Sequence, residues 1–239
     1  MTPLAEVLQR QLEQERQKLE QAQRCWQGEL TTQGGKVWCA AGCQGCCTLL
    51  VDTTLAEAWD VAHCLSAAQQ AAIAAYAERL RQVQQGVTDF KTYLKQQRSA
   101  VGPCPLLGAD GCCSIYTRRP FACRGLLSSR NSSWCAVDFS TLTRLDKETF
   151  LASLDRKRVA FPTHYYAEPQ DLAAEAEERL VAAQLETWGF VLRGSFPWLL
   201  HLLLQHDLAV AVATGHDALD ALLKETGADL PFITRLALA

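Results

Sequence analysis

The sequence predicts a mostly α-helical protein whose helices pack around two cysteine-rich loops. Along most of the chain, apolar residues recur every three or four positions, which is the spacing of one buried helix face. Two stretches, residues 39–47 and 104–123, lack this periodicity and are rich in cysteine, glycine and proline. We therefore expect two irregular loops that need something other than an apolar core to order them.

Spacing and capping residues predict the individual helices. Residues 3–30 read as an amphipathic helix, with an apolar stripe opposite a Gln/Glu/Arg surface. Thr54 and Ser66 each stand three residues before a Glu or Gln, a capping-box pattern that satisfies free N–H groups in the first helical turn. Helices should therefore begin directly after both residues. Further helices are predicted over residues 87–98, 146–158, 169–187, 197–213 and 216–225. The β signals are short, and no sheet is predicted.

The composition is that of a soluble globular protein. Hydrophobic residues make up 49% of the chain, charged residues 21%, and the formal net charge is −3, so we expect neither nucleic acid nor a membrane as a partner. The most apolar stretch, residues 196–213, is interrupted by two histidines, a glutamine and an aspartate, and is expected to be a buried helix. The first thirty residues lack an apolar signal core, which predicts a cytoplasmic protein.

Eleven cysteines are the unusual feature of this composition. A disulfide framework fits poorly because the number is odd, the chain is long, and the adjacent pairs Cys46-Cys47 and Cys112-Cys113 bridge each other only with strain. Free thiolates are instead the soft, charged ligands that Zn²⁺ and the iron of iron–sulfur clusters prefer. Glycines in the loops should supply the φ > 0 turns that let the sulfurs converge. The predicted metal ligands are Cys39, Cys43, Cys46, Cys47, Cys104, Cys113, Cys123 and Cys135.

Eight thiolates predict either two four-thiolate centres or one centre with additional structural thiols. The donor set leaves the metal open between an iron–sulfur cluster and zinc, and thiolate-only ligation with adjacent cysteines slightly favours iron–sulfur. The argument for zinc is that it orders loops that have little core of their own. Four arginines lie among the second set of cysteines and either offset the charge of the thiolates or form an ordinary solvated surface. They are Arg118, Arg119, Arg124 and Arg130.

The remaining candidate residues have simpler interpretations. Cys25 and Cys64 are expected to be small buried side chains rather than ligands. The five histidines are expected to be core or surface residues. The segment from His164 to Tyr166 either lines a pocket or packs within a loop.

The order of the spaced elements resembles a known family. The elements are Cys39-x3-Cys43-x2-Cys46-Cys47, then Cys104-Pro105-x-Leu107, then Cys113-x-Ile115-Tyr116-x2-Arg119-Pro120-x2-Cys123-Arg124. This pattern resembles the bacterial cysteine-cluster proteins with a CxxCxxCC zinc- or iron-chelating domain. The resemblance covers about residues 39–124 and implies a metal centre in a cytoplasmic protein. The same domain occurs in flagellin lysine methylases, so the resemblance also allows an enzyme. Whether Cys112 or Cys113 takes the family position as ligand stays open.

Three regions follow from this interpretation: an N-terminal amphipathic helix over residues 1–30, a cysteine-cluster metal-binding domain over 31–140, and a helical C-terminal region over 141–239. The leading hypothesis is a metal-binding protein whose iron–sulfur cluster or zinc serves redox chemistry, metal handling or structure. One alternative is a methylase-like enzyme that modifies proteins and uses the cluster as a scaffold. Another is a helical interaction module, stapled by zinc, that binds a protein partner. No catalytic residue is assigned.

Overall fold

The structure is a computed structural model that describes residues 5–85, 87–229 and 232–238, and this part of the chain is mostly helical, as predicted. The α-helices of the described residues are α1 Glu6–Thr32, α2 Leu55–Ala62, α3 Ala67–Gln84, α4 Phe90–Gln96, α5 Phe121–Gly125, α6 Arg144–Ala152, α7 Ala167–Trp188, α8 Phe196–Gln205, α9 Leu208–Thr214 and α10 His216–Glu225. Short 3₁₀ turns over Gly45–Thr48, Tyr116–Arg118 and Ser132–Ala136 lie within the cysteine-rich part of the chain.

Both predicted capping boxes are present. Thr54 accepts a hydrogen bond from the backbone N–H of Glu57, whose carboxylate accepts one from the backbone N–H of Thr54 at 3.0 Å. Ser66 and Gln69 form the same reciprocal pair. The predicted helix over 216–225 has the predicted bounds. The predicted start of the first helix at residue 3 lies outside the described residues.

The structure contains a small antiparallel sheet, so the expectation that the chain forms no sheet was wrong. Its strands are β1 Asp52–Thr54, β2 Phe190–Ser195 and β3 Thr234–Leu238, in the order β1-β2-β3. Thr53 pairs with Gly194, so the partners of the first pairing are far apart in the chain. β2 is almost wholly buried and therefore lacks the apolar–polar alternation by which a half-exposed strand is recognised.

The predicted single helix over 197–213 is also corrected, because α8 and α9 are separate helices that meet at an angle of 88°. The polar residues His206 and Asp207 stand at the break, and His206 has an extended backbone. In the described chain, no individual helix has the length and apolar character needed to cross a membrane. Judged only by length and composition, the bent α8–α9 pair meets that requirement.

The packing of the helical core positions the cysteine-rich region. α1 and α5 both pack against α7, so the apolar face of α1 is covered within the chain. Glu57 is buried, and its carboxylate accepts hydrogen bonds from the backbone N–H of Phe121 at 2.7 Å and from the Thr53 hydroxyl at 2.7 Å. Because Phe121 begins α5, this carboxylate ties α5, which carries Cys123, to the start of α2.

Candidate metal centre

The two cysteine-rich loops meet in space. The backbone N–H of Cys104 donates to the carbonyl oxygen of Cys47 at 2.8 Å. The loop tips also touch: a Cβ placed on Gly111 would lie 3.1 Å from the carbonyl oxygen of Gly42. Both of these glycines have positive φ, +81° at Gly42 and +77° at Gly111, a conformation that other residues rarely adopt. The expected role of glycine in turning the loops is thus confirmed at these two positions.

Glycine has a different role at Gly45. Its φ is not in the left-handed region, but a Cβ there would lie 2.7 Å from the Cβ of Cys135 and 2.9 Å from the backbone nitrogen of Ala136. The 3₁₀ turns Gly45–Thr48 and Ser132–Ala136 therefore pack backbone against backbone. This close approach brings Cys135 to the first loop.

Four thiols form what we call the second cysteine group: Cys47, Cys104, Cys113 and Cys123. The pKa of Cys104 is raised to about 11, mainly by burial and to a smaller extent by the negative charge of Cys113. Burial also raises the pKa of Cys123, with Cys104 and Cys113 adding to the effect. A hydrogen bond from Cys46 lowers the pKa of Cys47 overall, and the charges of Cys104, Cys113 and Cys123 each oppose this shift. Every pair within this group therefore interacts, and a nearby cation would relieve the repulsion among the four thiolates.

The first cysteine group consists of Cys39, Cys43, Cys46 and Cys135. Burial raises the pKa of Cys39, and Cys135, Cys46 and Cys43 raise it further, while a hydrogen bond from the backbone N–H of Ser128 at 3.3 Å opposes the shift. The pKa of Cys135 is raised by burial and also by Cys46 and Cys43. These four thiols are therefore electrostatic neighbours as well.

The adjacent residues Cys46 and Cys47 join the two groups. The Cys46 thiol donates a hydrogen bond to Cys47, which raises the pKa of Cys46 and lowers that of Cys47. The charge of Cys46 raises the pKa of Cys135 in the first group and of Cys104 and Cys123 in the second. Cys46 thus lies between the groups.

Three polar side chains that the sequence did not single out as metal-site residues surround the Cys135 sulfur. The Nε2 atom of His164 lies 3.3 Å from Cys135 Sγ. The Tyr165 hydroxyl donates a hydrogen bond to the same sulfur, which lowers the pKa of Cys135 against the effect of burial. The Ser128 hydroxyl lies beside this sulfur and donates to the backbone oxygen of Arg130 at 2.6 Å. Burial lowers the pKa of His164, and the charge of Arg130 lowers it further, so the imidazole is neutral near pH 7. The segment after Phe161 therefore packs against the first group, which no spacing rule could have indicated.

The four arginines differ in their surroundings. Arg118 pairs with Asp60 at 2.8 Å, Arg124 donates to the backbone oxygens of Arg119 and Thr117, and Arg130 donates to that of Ser153. Arg119 is the arginine that lowers the pKa of Cys46 and of Cys123. Its guanidinium lies 3.9 Å from the centre of the Tyr116 ring, and its buried Nε atom has no hydrogen-bond partner among the described residues. Arg119 therefore fits the predicted role of offsetting thiolate charge.

The other cysteines lie apart from the two groups. Cys25 and Cys64 are exposed, so the expectation that they are buried was wrong; the Cys64 thiol contacts the backbone oxygen of Asp60 at the end of α2 instead of entering the core. Cys113, and not Cys112, raises the pKa of the second-group thiols and packs against the core. All eleven cysteines fall within the described residues, and each is a free thiol.

The thiols are neighbours, but they do not yet form a completed coordination sphere. Within residues 5–85, 87–229 and 232–238, no three His, Cys, Asp or Glu side chains are arranged tightly enough to hold a metal ion. The chemistry of the donors nevertheless suits Zn²⁺ or iron, because soft thiolates dominate both groups and Arg119 adds a positive charge beside them. The eight predicted ligands stay a prediction.

Comparison with known proteins agrees with this donor chemistry. Residues 38–142 match a family model described as "CxxCxxCC: Putative zinc- or iron-chelating domain". The match supports zinc or iron chelation. It contains all eight predicted ligands and covers less than half of the chain, ending before α6. Neither curated proteins nor solved structures gave a match.

Proposed function

We propose that this chain binds zinc or iron at two sites, one in each cysteine group, and that the second group holds an iron–sulfur cluster. The observation that carries this proposal is the mutual interaction of Cys47, Cys104, Cys113 and Cys123. These residues come from both cysteine-rich loops, which are joined where the backbone N–H of Cys104 donates to the carbonyl oxygen of Cys47. The family match supports metal chelation by the same segment.

The charge balance of the second group supports a bound cation. Four thiolates close together carry four negative charges, and burial disfavours each of them when no compensating charge is present. Arg119 supplies one positive charge beside Cys123. A metal centre would supply further positive charge and release the thiol protons as it binds.

An iron–sulfur cluster is favoured at this group because its donors are thiolates alone and a positive charge lies beside them. When bound, such a cluster supplies one-electron redox chemistry, whereas zinc would supply only cohesion between the loops. Free thiols also require reducing conditions, so the proposal includes a cytoplasmic location.

Metal analysis of the full chain tests the proposal. Protein purified without oxygen should contain bound iron with acid-labile sulfide, absorb visible light through sulfur-to-iron charge transfer, and give a paramagnetic resonance signal in one redox state. A colourless chain with about two zinc ions would support chelation but contradict the cluster. Protein that binds neither metal after incubation with Zn²⁺, or with Fe²⁺ and sulfide, would contradict the proposal as a whole.

Cys64 provides a matched control because it is an exposed thiol on the same part of the chain. Cys64→Ser should retain the full metal content, and Cys113→Ser should lose the metal of the second group. Equal metal content in the two variants would remove Cys113 from the ligand set.

A further inference from the structure

We propose that His164 is a metal donor of the first group, where its imidazole joins the thiolates of Cys39, Cys43 and Cys135 around one divalent ion such as Zn²⁺. This inference rests on the proposed function, because it names a ligand of one of the two proposed sites. His164 lies beyond residues 38–142, so the family match does not assign it.

The distance between His164 and Cys135 is the first argument. Two donor atoms of a tetrahedral zinc ion, at about 2.0 Å for nitrogen and about 2.3 Å for sulfur, lie about 3.5 Å apart. His164 Nε2 and Cys135 Sγ are 3.3 Å apart, so one ion can bind both atoms with little movement of either side chain. Only 4% of His164 is exposed, which makes the ring part of the interior of the site and not a surface group.

The second argument is that the backbone already holds the ring in place. The carbonyl oxygen of His164 accepts hydrogen bonds from the Ser129 backbone N–H at 3.0 Å and from its hydroxyl at 2.7 Å. The His164 ring packs 4.4 Å from the ring of Tyr165 and edge-on to Phe150 at 6.0 Å. A histidine fixed in this way loses little side-chain entropy when it binds a metal.

The same segment also positions a second donor. Ser128 pairs with Tyr165 in an isolated β-bridge, and the backbone N–H of Ser128 donates to Cys39 Sγ at 3.3 Å. The Tyr165 hydroxyl donates to Cys135. The two segments that pair at Ser128 and Tyr165 therefore bring Cys39, Cys135 and His164 close together. Hydrogen bonds to ligand sulfurs are the usual support around a thiolate-bound metal.

Five donors are then available for four positions in the first group. The Cys46 thiol donates to Cys47, so it takes part in an interaction that crosses to the second group. Three thiolates and a neutral imidazole around Zn²⁺ leave one net negative charge, compared with two for four thiolates. The lower net charge costs less to bury. His164 therefore takes the fourth position, and Cys46 remains paired with Cys47.

X-ray absorption at the zinc edge tests this assignment directly. The full chain carrying Cys104→Ser and Cys123→Ser, which disables the second group, is loaded with Zn²⁺. We expect about one zinc per chain with one nitrogen donor at about 2.0 Å and three sulfur donors at about 2.3 Å. Adding His164→Gln should weaken zinc binding at least about tenfold and remove the nitrogen donor. Adding His164→Cys instead should retain zinc with four sulfur donors.

The matched control is His216→Gln, which makes the same substitution at a histidine of α10 whose imidazole pairs with Asp217, outside the cysteine-rich region. It should keep the nitrogen donor and bind zinc nearly as well. If the chain with Cys104→Ser and Cys123→Ser does not fold, the role of His164 is tested by measuring zinc content when His164 alone is substituted. Loss of one zinc in His164→Gln and its return in His164→Cys support the assignment.

Two results separate the failure of this inference from that of the proposed function. Zinc bound by sulfur donors alone, with unchanged affinity in His164→Gln, overturns the role of His164 and leaves the proposed function standing. A wild-type chain that binds neither zinc nor iron overturns both.

Discussion

The two cysteine groups use the same residue type in different surroundings. In the first group, polar donors reach the sulfurs: the Ser128 backbone N–H donates to Cys39, and the Tyr165 hydroxyl donates to Cys135. Burial is the largest cause of a raised pKa in both groups, at Cys39 and Cys135 as at Cys104 and Cys123. In the second group, however, Cys104 and Cys113 also pack against the apolar core. Hydrogen bonds stabilise a thiolate without a metal, whereas burial destabilises it. The second group therefore depends more strongly on a bound cation.

The largest expected effect comes from removing two thiols of one group at a time. Cys104→Ser with Cys123→Ser should remove the metal of the second group only and lower the free energy of unfolding by at least about 3 kcal/mol, because metal binding contributes directly to folding. Cys39→Ser with Cys135→Ser should remove only the metal of the first group, with a smaller loss of stability. Elemental analysis and urea unfolding measure both quantities. If either pair of substitutions removed all metal, the division into two sites would be wrong.

Glu57→Ala should weaken the second group selectively. The substitution leaves the Phe121 N–H, the Thr54 N–H and the hydroxyls of Thr53 and Thr54 without their buried acceptor, which should cost about 2–3 kcal/mol in unfolding free energy. Because Phe121 begins the helix that carries Cys123, metal affinity should fall at the second group and stay unchanged at the first. Glu78→Ala is the control, since Glu78 pairs with Arg81 on the surface of α3, and little change is expected. A larger metal loss from the first group would contradict the connection through α5.

Gly45→Ala should act on the first group. The added Cβ meets the backbone around Cys135, where nothing flexible can move aside, so we expect a loss of about 2 kcal/mol in unfolding free energy. Metal content of the first group should fall because the two 3₁₀ turns separate. Gly28→Ala in α1 is the control, as an added Cβ there has no neighbour within 4 Å and alanine favours a helix. Unchanged metal content in Gly45→Ala would show that this close packing is not required.

The smallest expected effect on metal binding comes from the buried carboxylate of Glu177 in α7, which should change the pH dependence of stability instead. Burial, together with the charge of Glu57, raises the pKa of Glu177 to about 7, even though Arg193 donates to its carboxylate at 2.7 Å. The folded state therefore binds this proton more tightly than the unfolded chain, and the associated stability is fully present below about pH 4.5 and is lost as the pH rises through 7. Glu177→Gln should remove a decline of about 3 kcal/mol in unfolding free energy between pH 4.5 and 8, since one pKa unit corresponds to about 1.4 kcal/mol.

Unfolding measured across this pH range tests the assignment. Glu175→Gln, at a more exposed site on the same helix, should leave the decline in place. The same slope in wild type and Glu177→Gln would contradict the role given to this carboxylate. Metal-free chains give the cleanest comparison, because metal binding by thiols also changes with pH.

By itself, the sequence determined the local structure. A capping box needs only residues three positions apart, so Thr54 with Glu57 and Ser66 with Gln69 were recognisable at once. The turns at Gly42 and Gly111 likewise need only a residue without a Cβ. The cysteine spacing also indicated metal chelation, which the family match supports.

Only the tertiary structure decided which distant residues become neighbours. Asp52 pairs with Ser195, and His164 lies against Cys135, although nothing in the intervening sequence marks either contact. Cys46 and Cys47 are adjacent in the chain, yet Cys47 interacts with all the second-group thiols and Cys46 lies between the groups. Which sulfurs meet depends on how helices far apart in sequence pack and carry their loops together, and this packing is a property of the whole core that no local pattern records.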